Sequence, residues 1–471
     1  MKVIATAPPP TATTPNEPPT PQLLAGVPAS VPASVASLTE AGHGESRVEV
    51  NSETTRFLLE LGRALHTYGG SSPQIEEDLR RVAEHLGVHA DVSSTPTGLF
   101  QAIGSGASQH TYFQRLDPGH VNGEKQLLLS RLRDRVFTGL TPSEGLAEVR
   151  SIVARPRRYG GLTQVLAGAL ASTGGATLMG GHAIEVILAG LLGLAVSALV
   201  RAMATQPRLA AVSEPVCGCI AGAVAAGSAS FAARHGLAIS PSLVSFAGIL
   251  TLVPGLPIML GIRELTARHL SAGTARLTGA ATSLLLLCVG VAIGVRAGTF
   301  GEPIQTPHVA SALFPTEFAM TAITAIALLA FFNCRPRDFL PIWFAVVIGF
   351  YGGRLGDPLL GVGLGAGFGA LLVTVYSHAL ARLRQTPSAM TLLPGLILLL
   401  PSSFGFRSFE ALLHGDVSTG IEAAFSMVIT ALSLVTGLLL GAAAIPENST
   451  PPPQVPNDRF STPPWQSAIH P

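Results

Sequence analysis

Three carboxylates lie within or at the edges of apolar segments of this 471-residue chain: Glu185, Glu214 and Glu317. An ionisable side chain at membrane depth is costly and by default marks a functional position, so each is a candidate for proton coupling. Glu317, in FPTEFAM, lies deepest. Its competing reading is a carboxylate held at a helix start by the positive end of the macrodipole.

A second kind of chemistry needs no charge. The segment 248–260, GILTLVPGLPIML, returns in weaker form at 391–400, TLLPGLILLL. Each carries a Pro-Gly pair, Pro254-Gly255 and Pro394-Gly395, inside a run long enough to span a membrane. Proline lacks the amide hydrogen and clashes with the preceding turn, and glycine weakens a helix interior, so a break is expected at each pair. Irregular backbone at membrane depth is tolerated only where protein buries it or it faces water. Paired breaks in two halves of a hydrophobic chain point to a transporter's binding site. The substrate-binding candidates are therefore Thr251, Pro254, Gly255, Pro257, Thr391, Pro394, Gly395 and Ser402, with freed backbone amides as an anion site.

Other constellations are weaker. His85 and His89 have metal-ligand spacing, but Gly87 between them ends a helix and no further ligand completes a site, so no metal and no cofactor is expected. Ser71, Ser72, Ser93, Ser94 and His110 lack a nucleophile-elbow context, so no catalytic residue is assigned. The glycines Gly361, Gly363, Gly365, Gly367 and Gly369 sit in an apolar segment and read as close helix packing, not as a phosphate loop. Cys217, Cys219, Cys288 and Cys334 read as small packing residues.

These residues must be held by a membrane protein. Hydrophobic residues make up 48% of the chain and charged ones only 12%, and mean hydropathy is +0.46. That excess of apolar surface must face lipid. The formal net charge of +1 suggests no nucleic-acid partner. Residues 1–51 and 445–471, rich in Pro, Ala, Ser and Thr, cannot bury enough apolar surface to order themselves and read as disordered tails. Residues 52–158 read as a cytoplasmic α+β module: Phe57, Leu58, Leu61 and Leu65 are helically spaced, Pro73 opens a second helix, VHADV and GLFQAI are strand-like, Asp117-Pro118-Gly119 signals a turn, and Thr141-Pro142-Ser143-Glu144 opens a further helix.

From residue 159 about ten apolar spans follow, five in a first repeat (159–300) and five in a second (301–444). Five is odd, so the second repeat enters the membrane with opposite polarity. The fold class is mainly α, a polytopic membrane protein of two inverted five-helix repeats behind a small α+β module. Arg155, Arg157, Arg158, Arg201, Arg208, Arg263, Arg268, Arg276, Arg335, Arg337, Arg382 and Arg384 fall on the side of the module, against Arg234, Arg296, Arg354 and Arg407 opposite. Basic residues stay inside, which predicts both termini in the cytoplasm.

The ordered motifs LLELGRALHTYGGSSPQIEEDLRRVAEHLGV, TGLTPSEGLAEVRSIVARPRRYG, LVPGLPIMLGIRELTARHLSAGTAR and LLPGLILLLPSSFGFRSFEALLHGD resemble the threonine/serine exporter family over residues 54–444. The resemblance implies about ten membrane helices in the inner (cytoplasmic) membrane and export of small hydroxylated amino acids driven by the proton gradient. The expected partners are an amino-acid substrate and the lipid bilayer, with a homo-oligomer left open. Two-component relatives look like dicarboxylate exporters, so a succinate-type substrate is the alternative. A membrane-anchored enzyme acting through the module is the third reading, disfavoured because the module lacks a complete catalytic constellation.

Overall fold

The computed structural model describes residues 52–117, 121–299, 314–361, 363–400, 402–413 and 415–445. Its first elements are α1 (Ser52–Thr67), α2 (Ser72–His85), strands β1 (Ala90–Thr95), β2 (Gly98–Ile103) and β3 (His110–Arg115), α3 (Gly123–Phe137) and α4 (Pro142–Ala154). Pro73 stands in the first turn of α2, where its missing amide costs nothing. Past the end of that helix, Gly87 takes a φ of +74°, the left-handed conformation in which helices stop. Thr141 and Glu144 exchange side-chain and backbone bonds as a capping box that starts α4.

The strands pair antiparallel in the order β1-β2-β3. β3 is an addition to the two strands expected; Phe113 on it stacks on Phe100 of β2 with ring centroids 4.6 Å apart. Pro118 and Gly119 of the expected turn lie outside the described residues. One buried cluster, drawn entirely from residues between Phe57 and Ile152, joins these elements.

The rest of the chain is helical: α5 (Gly161–Leu178), α6 (Ala183–Met203), the single turn α7 (Pro207–Ala210), α8 (Ser213–Arg234), α9 (Pro241–Gly248), α10 (Gly255–Thr266), α11 (Leu270–Gly298), α12 (Phe314–Phe331), α13 (Phe339–Leu360), α14 (Gly365–Arg384), α15 (Ala389–Leu396), α16 (Ser402–Leu413) and α17 (Val417–Ala444). Seven stretches among the described residues are long and apolar enough to cross a membrane: α6, α8, α11, Pro336–Leu360 with α13, α14, Ala389–Leu412 with α15 and α16, and α17.

Contacts among these helices come in matched sets. α5 packs on α6, α6 and α8 on α9, α8 on α11, and α10 on α11; likewise α12 packs on α13, α13 and α14 on α15, α14 on α17, and α16 on α17. Cross-contacts join α5 to α12, α10 to α17 and α11 to α16. Small residues let the backbones close, which matters where lipid provides no hydrophobic drive between helices. A Cβ on Gly273 of α11 would meet the Gly261 carbonyl and the Leu265 side chain of α10; one on Gly420 of α17 would meet the Ser408 carbonyl and Leu412 of α16. Gly290 meets Pro215 and Cys219 of α8 as Gly437 meets Gly367 and Leu371 of α14.

The glycine run divides, contrary to its reading as one helical stripe. Gly361 and Gly363 have φ values of +101° and +87° and turn the chain between α13 and α14. Gly365, Gly367 and Gly369 are helical and pack closely, Gly365 against Asp357, Gly367 against Ser433 and Gly369 against Gly353.

Candidate functional site

The first break falls where the Pro-Gly pair places it. α9 ends at Gly248, residues 249–254 leave helical geometry, and α10 begins at Gly255. Within the break the Leu252 amide donates to the Ile249 carbonyl at 2.8 Å and the Gly255 amide to the Val253 carbonyl at 2.8 Å. No side chain caps α10. Since Gly255 already has an acceptor and Pro257 carries no amide, the donors offered by this helix start are fewer than the sequence suggests.

The second break is displaced. Pro394 and Gly395 lie inside α15, the backbone passes through a 3-10 turn at Ile397–Leu399, and only at Leu400 (φ −64°, ψ 137°) does it become extended before α16. Pro401 and the side chain of Ser402 lie outside the described residues. Packing explains the persistence: Leu392, Leu393 and Leu396 on α15 are buried in one cluster with Met259 and Leu260 of α10.

The two interrupted helices cross at their breaks. A Cβ on Gly255 would stand 2.7 Å from Leu400 Cδ1 and 3.2 Å from Leu400 Cβ. On one side of this contact α9 meets α16 through Phe246 and Phe406, ring centroids 5.1 Å apart. On the other, α10 and α15 share the Met259 and Leu393 cluster.

The predicted binding residues therefore separate. Pro254 and Gly255 are buried at the crossing, Thr251 is half-buried beside them, and Pro257 is exposed. Gly395 instead faces Val373 of α14 and Ala345 of α13; a Cβ there would lie 2.7 Å from the Val373 side chain and 3.0 Å from the Ala345 carbonyl. The Thr391 hydroxyl is buried and donates to the Ser388 carbonyl of its own helix at 3.3 Å. Leu400, missed in the sequence, is what meets Gly255; the signal for it is the second proline, Pro401.

The three carboxylates have distinct settings. Glu185, 2% exposed, accepts the His182 amide at 2.8 Å and the Ser240 amide at 2.7 Å, so both oxygens are engaged in pinning the starts of α6 and α9 together. Glu214 lies half-buried in the first turn of α8. Glu317, 6% exposed in the first turn of α12, accepts a hydrogen bond from Arg354 Nη1 of α13 at 2.5 Å. One turn further along, Thr321 accepts from Trp343 Nε1 at 3.0 Å.

A fourth carboxylate is the most buried of these. Glu264 of α10, fully enclosed, holds Arg276 Nε of α11 at 2.9 and 3.0 Å. The His85 ring packs edge-on to Phe137 at 5.3 Å and His89 lies 3.4 Å from Asp91; no group of three metal-ligating side chains occurs among the described residues.

Comparison with known proteins follows this division. Residues 56–297 match the model of ThrE, a threonine/serine exporter family, and residues 317–444 match the model ThrE_2, "Threonine/Serine exporter, ThrE". The boundary between the two matches falls between α11 and α12. A threonine/serine exporter of Corynebacterium glutamicum is 23% identical over 403 residues, covering 81% of this chain and 80% of the relative. No solved structure matches the chain.

Proposed function

Since the chain belongs to the ThrE family of threonine/serine exporters, we propose that it carries L-threonine and L-serine out of the cell by alternating access, driven by the proton gradient. The observation that carries this reading is the crossing of two interrupted helices at Gly255 and Leu400. A continuous span has every amide bonded internally and offers a polar solute nothing, whereas an interrupted one exposes backbone donors and acceptors at depth.

In this proposal α5, α6, α8, the α9–α10 pair and α11 form one five-span repeat, and α12, α13, α14, the α15–α16 pair and α17 an inverted copy. The matched helix contacts and the boundary between the two family matches support it. The substrate carboxylate meets the start of α10, a helix N-terminus without a side-chain cap. Thr251, beside the crossing, is the hydroxyl proposed to meet the ammonium or hydroxyl group, with Thr391 and Ser402 of the second segment proposed as further contacts. Rocking of one repeat on the other about the crossing exposes the site to each side in turn.

The Arg354 ion pair gives Glu317 a partner it can exchange for a proton, which makes it the favoured coupling residue over Glu185, whose oxygens are committed to backbone amides. Counter-flow of labelled threonine, serine and succinate in proteoliposomes tests the substrate; uptake of succinate alone overturns it. Reporter fusions after Arg158 and Ala444 should both report the cytoplasm, and opposite answers would end the inverted-repeat reading.

A further inference from the structure

Among the described residues, two hydrogen-bonded seams join the α+β elements before α5 to the helical bundle, one in each of its halves. At the first, the opening amide of α2, Ser72 N, donates to Glu264 Oε1 of α10 at 3.2 Å, and Glu76 Oε2 lies 3.4 Å from His269 Nδ1 at the start of α11. At the second, the opening amides of α3 close off the end of α12: Gly123 N donates to the Phe332 carbonyl at 2.7 Å and Glu124 N to the Asn333 carbonyl at 3.3 Å. Glu124 also pairs with Arg158 at 2.6 Å and lies 3.8 Å from Arg335.

We propose that these elements form a clamp across the two halves on one membrane face, and that transport requires the α2 contact with α10 and α11 to open while the α3 contact with α12 stays closed. The inference rests on the two-repeat exporter reading above. Glu264 sits on the second half of the first broken helix, so any tilt of α10 pulls directly on Ser72. Of the two seams, the first is the one built to part. Across it run one amide-to-carboxylate hydrogen bond and one carboxylate-histidine contact, beside the packing of β1 on α11, against two backbone-backbone bonds, the Glu124–Arg335 contact and the packing of Gly123 on Cys334 at the second.

Buried polar atoms without a hydrogen-bond partner among the described residues lie at both seams, three around the first against Asn333 Oδ1 at the second. Ser72 Oγ, Ser94 Oγ and His66 Nδ1 are buried without a hydrogen-bond partner among the described residues. Ser94 adjoins the seam because its backbone amide donates a hydrogen bond to Glu76 Oε1 at 2.8 Å, and His66 lies in the field of Glu264 and Arg276. Burying such atoms unpaired is unfavourable, and hydration on opening relieves that cost. At the second seam Cys334 packs directly on Gly123, where a Cβ would lie 2.7 Å from the sulfur.

Full-length protein in proteoliposomes tests the clamp by cross-linking. E76C/H269C, with the four native cysteines replaced by serine, is bridged by a short, cleavable bis-thiol reagent; G123C is oxidised onto the native Cys334. Bridging 76 to 269 should cut labelled-threonine counter-flow at least about tenfold, reversibly on cleavage, while the 123–334 disulfide should leave it within about twofold. Counter-flow at the unbridged rate through a fully bridged 76–269 protein overturns the clamp. If the unmodified protein carries no threonine, the substrate reading has failed instead, and hydrogen exchange then decides. The first turn of α2 should exchange about tenfold faster than that of α3, and equal protection of the two overturns the clamp.

Discussion

Gly255 and Leu400 pack face to face: a side chain on the first residue of α10 would begin 2.7 Å from Cδ1 of the residue that separates α15 from α16. The three nearest atoms all belong to the Leu400 side chain, Cδ1 nearest and Cβ at 3.2 Å, and none to backbone, so the contact can be overfilled without unfolding the bundle. Gly255→Leu is expected to abolish threonine counter-flow while costing only about 1–3 kcal/mol of stability, the usual range for overpacking. Counter-flow normalised to monodisperse protein checks this; unchanged transport would remove the crossing from the mechanism.

Gly395→Leu should behave differently, although its sequence context looks the same. Its surroundings include the Ala345 carbonyl at 3.0 Å, and a Cβ on Gly349 would come within 2.2 Å of the Gly395 carbonyl. Backbone on both sides cannot give way, so loss of folded protein is the expected result, seen as a lower thermal midpoint in detergent before any transport defect.

Glu317 and Arg354 separate coupling from binding. Glu317→Gln keeps the shape and leaves Arg354, whose side chain is 49% exposed, free to take solvent. Gradient-driven export should stop while threonine exchange at equal pH persists in part. Parallel loss of both, in protein that still elutes as a single species, would assign Glu317 a binding or structural role.

How far the sequence foretold this arrangement depended on whether a signal was local. Pro254-Gly255 was legible because the backbone there leaves helical geometry at the pair itself, with α10 starting at Gly255. Pro394-Gly395 carries the same letters, yet α15 packs on α13 and α14 with Leu392, Leu393 and Leu396 buried and stays helical through the pair, so the interruption waits for Leu400. Thr141 and Glu144 were legible because a capping box is complete within four residues. Glu264 and Arg276 were not: the chain reverses at Arg268, with a φ of +66°, and brings together residues that no helical spacing would pair. The seams between α2 or α3 and the bundle are longer-range still, resting on backbone amides that have no residue signature.

Glu264→Ala is expected to be strongly destabilising. It leaves the Arg276 guanidinium, with its side chain 17% exposed, without its carboxylate and the Ser72 amide without its acceptor. Breaking a buried pair by removing one partner costs about 3–5 kcal/mol. Glu264→Gln keeps an acceptor for Ser72 and should cost less. Thermal unfolding of the full-length variants in detergent ranks them, and equal midpoints for Glu264→Ala and wild type would contradict the enclosed pair.

His66 gives the pH dependence its sign. Burial holds the imidazole below its ordinary value of 6.5; the hydrogen bond to the Thr95 carbonyl at 2.8 Å works against that shift, and the positive charge of Arg276 adds to it. With the folded pKa depressed, the unfolded chain takes up the proton first as pH falls. The contribution of His66 to stability is therefore complete above the ordinary value and is lost as the solution acidifies from there toward the folded value, where the slope levels off. Full-length protein should show a thermal midpoint that is flat in the alkaline range and declines below a pH of about 6.5. His66→Gln, which cannot titrate, should flatten that part of the decline; a wild-type midpoint that rises on acidification through the same window would show that the imidazole is stabilised charged, not neutral.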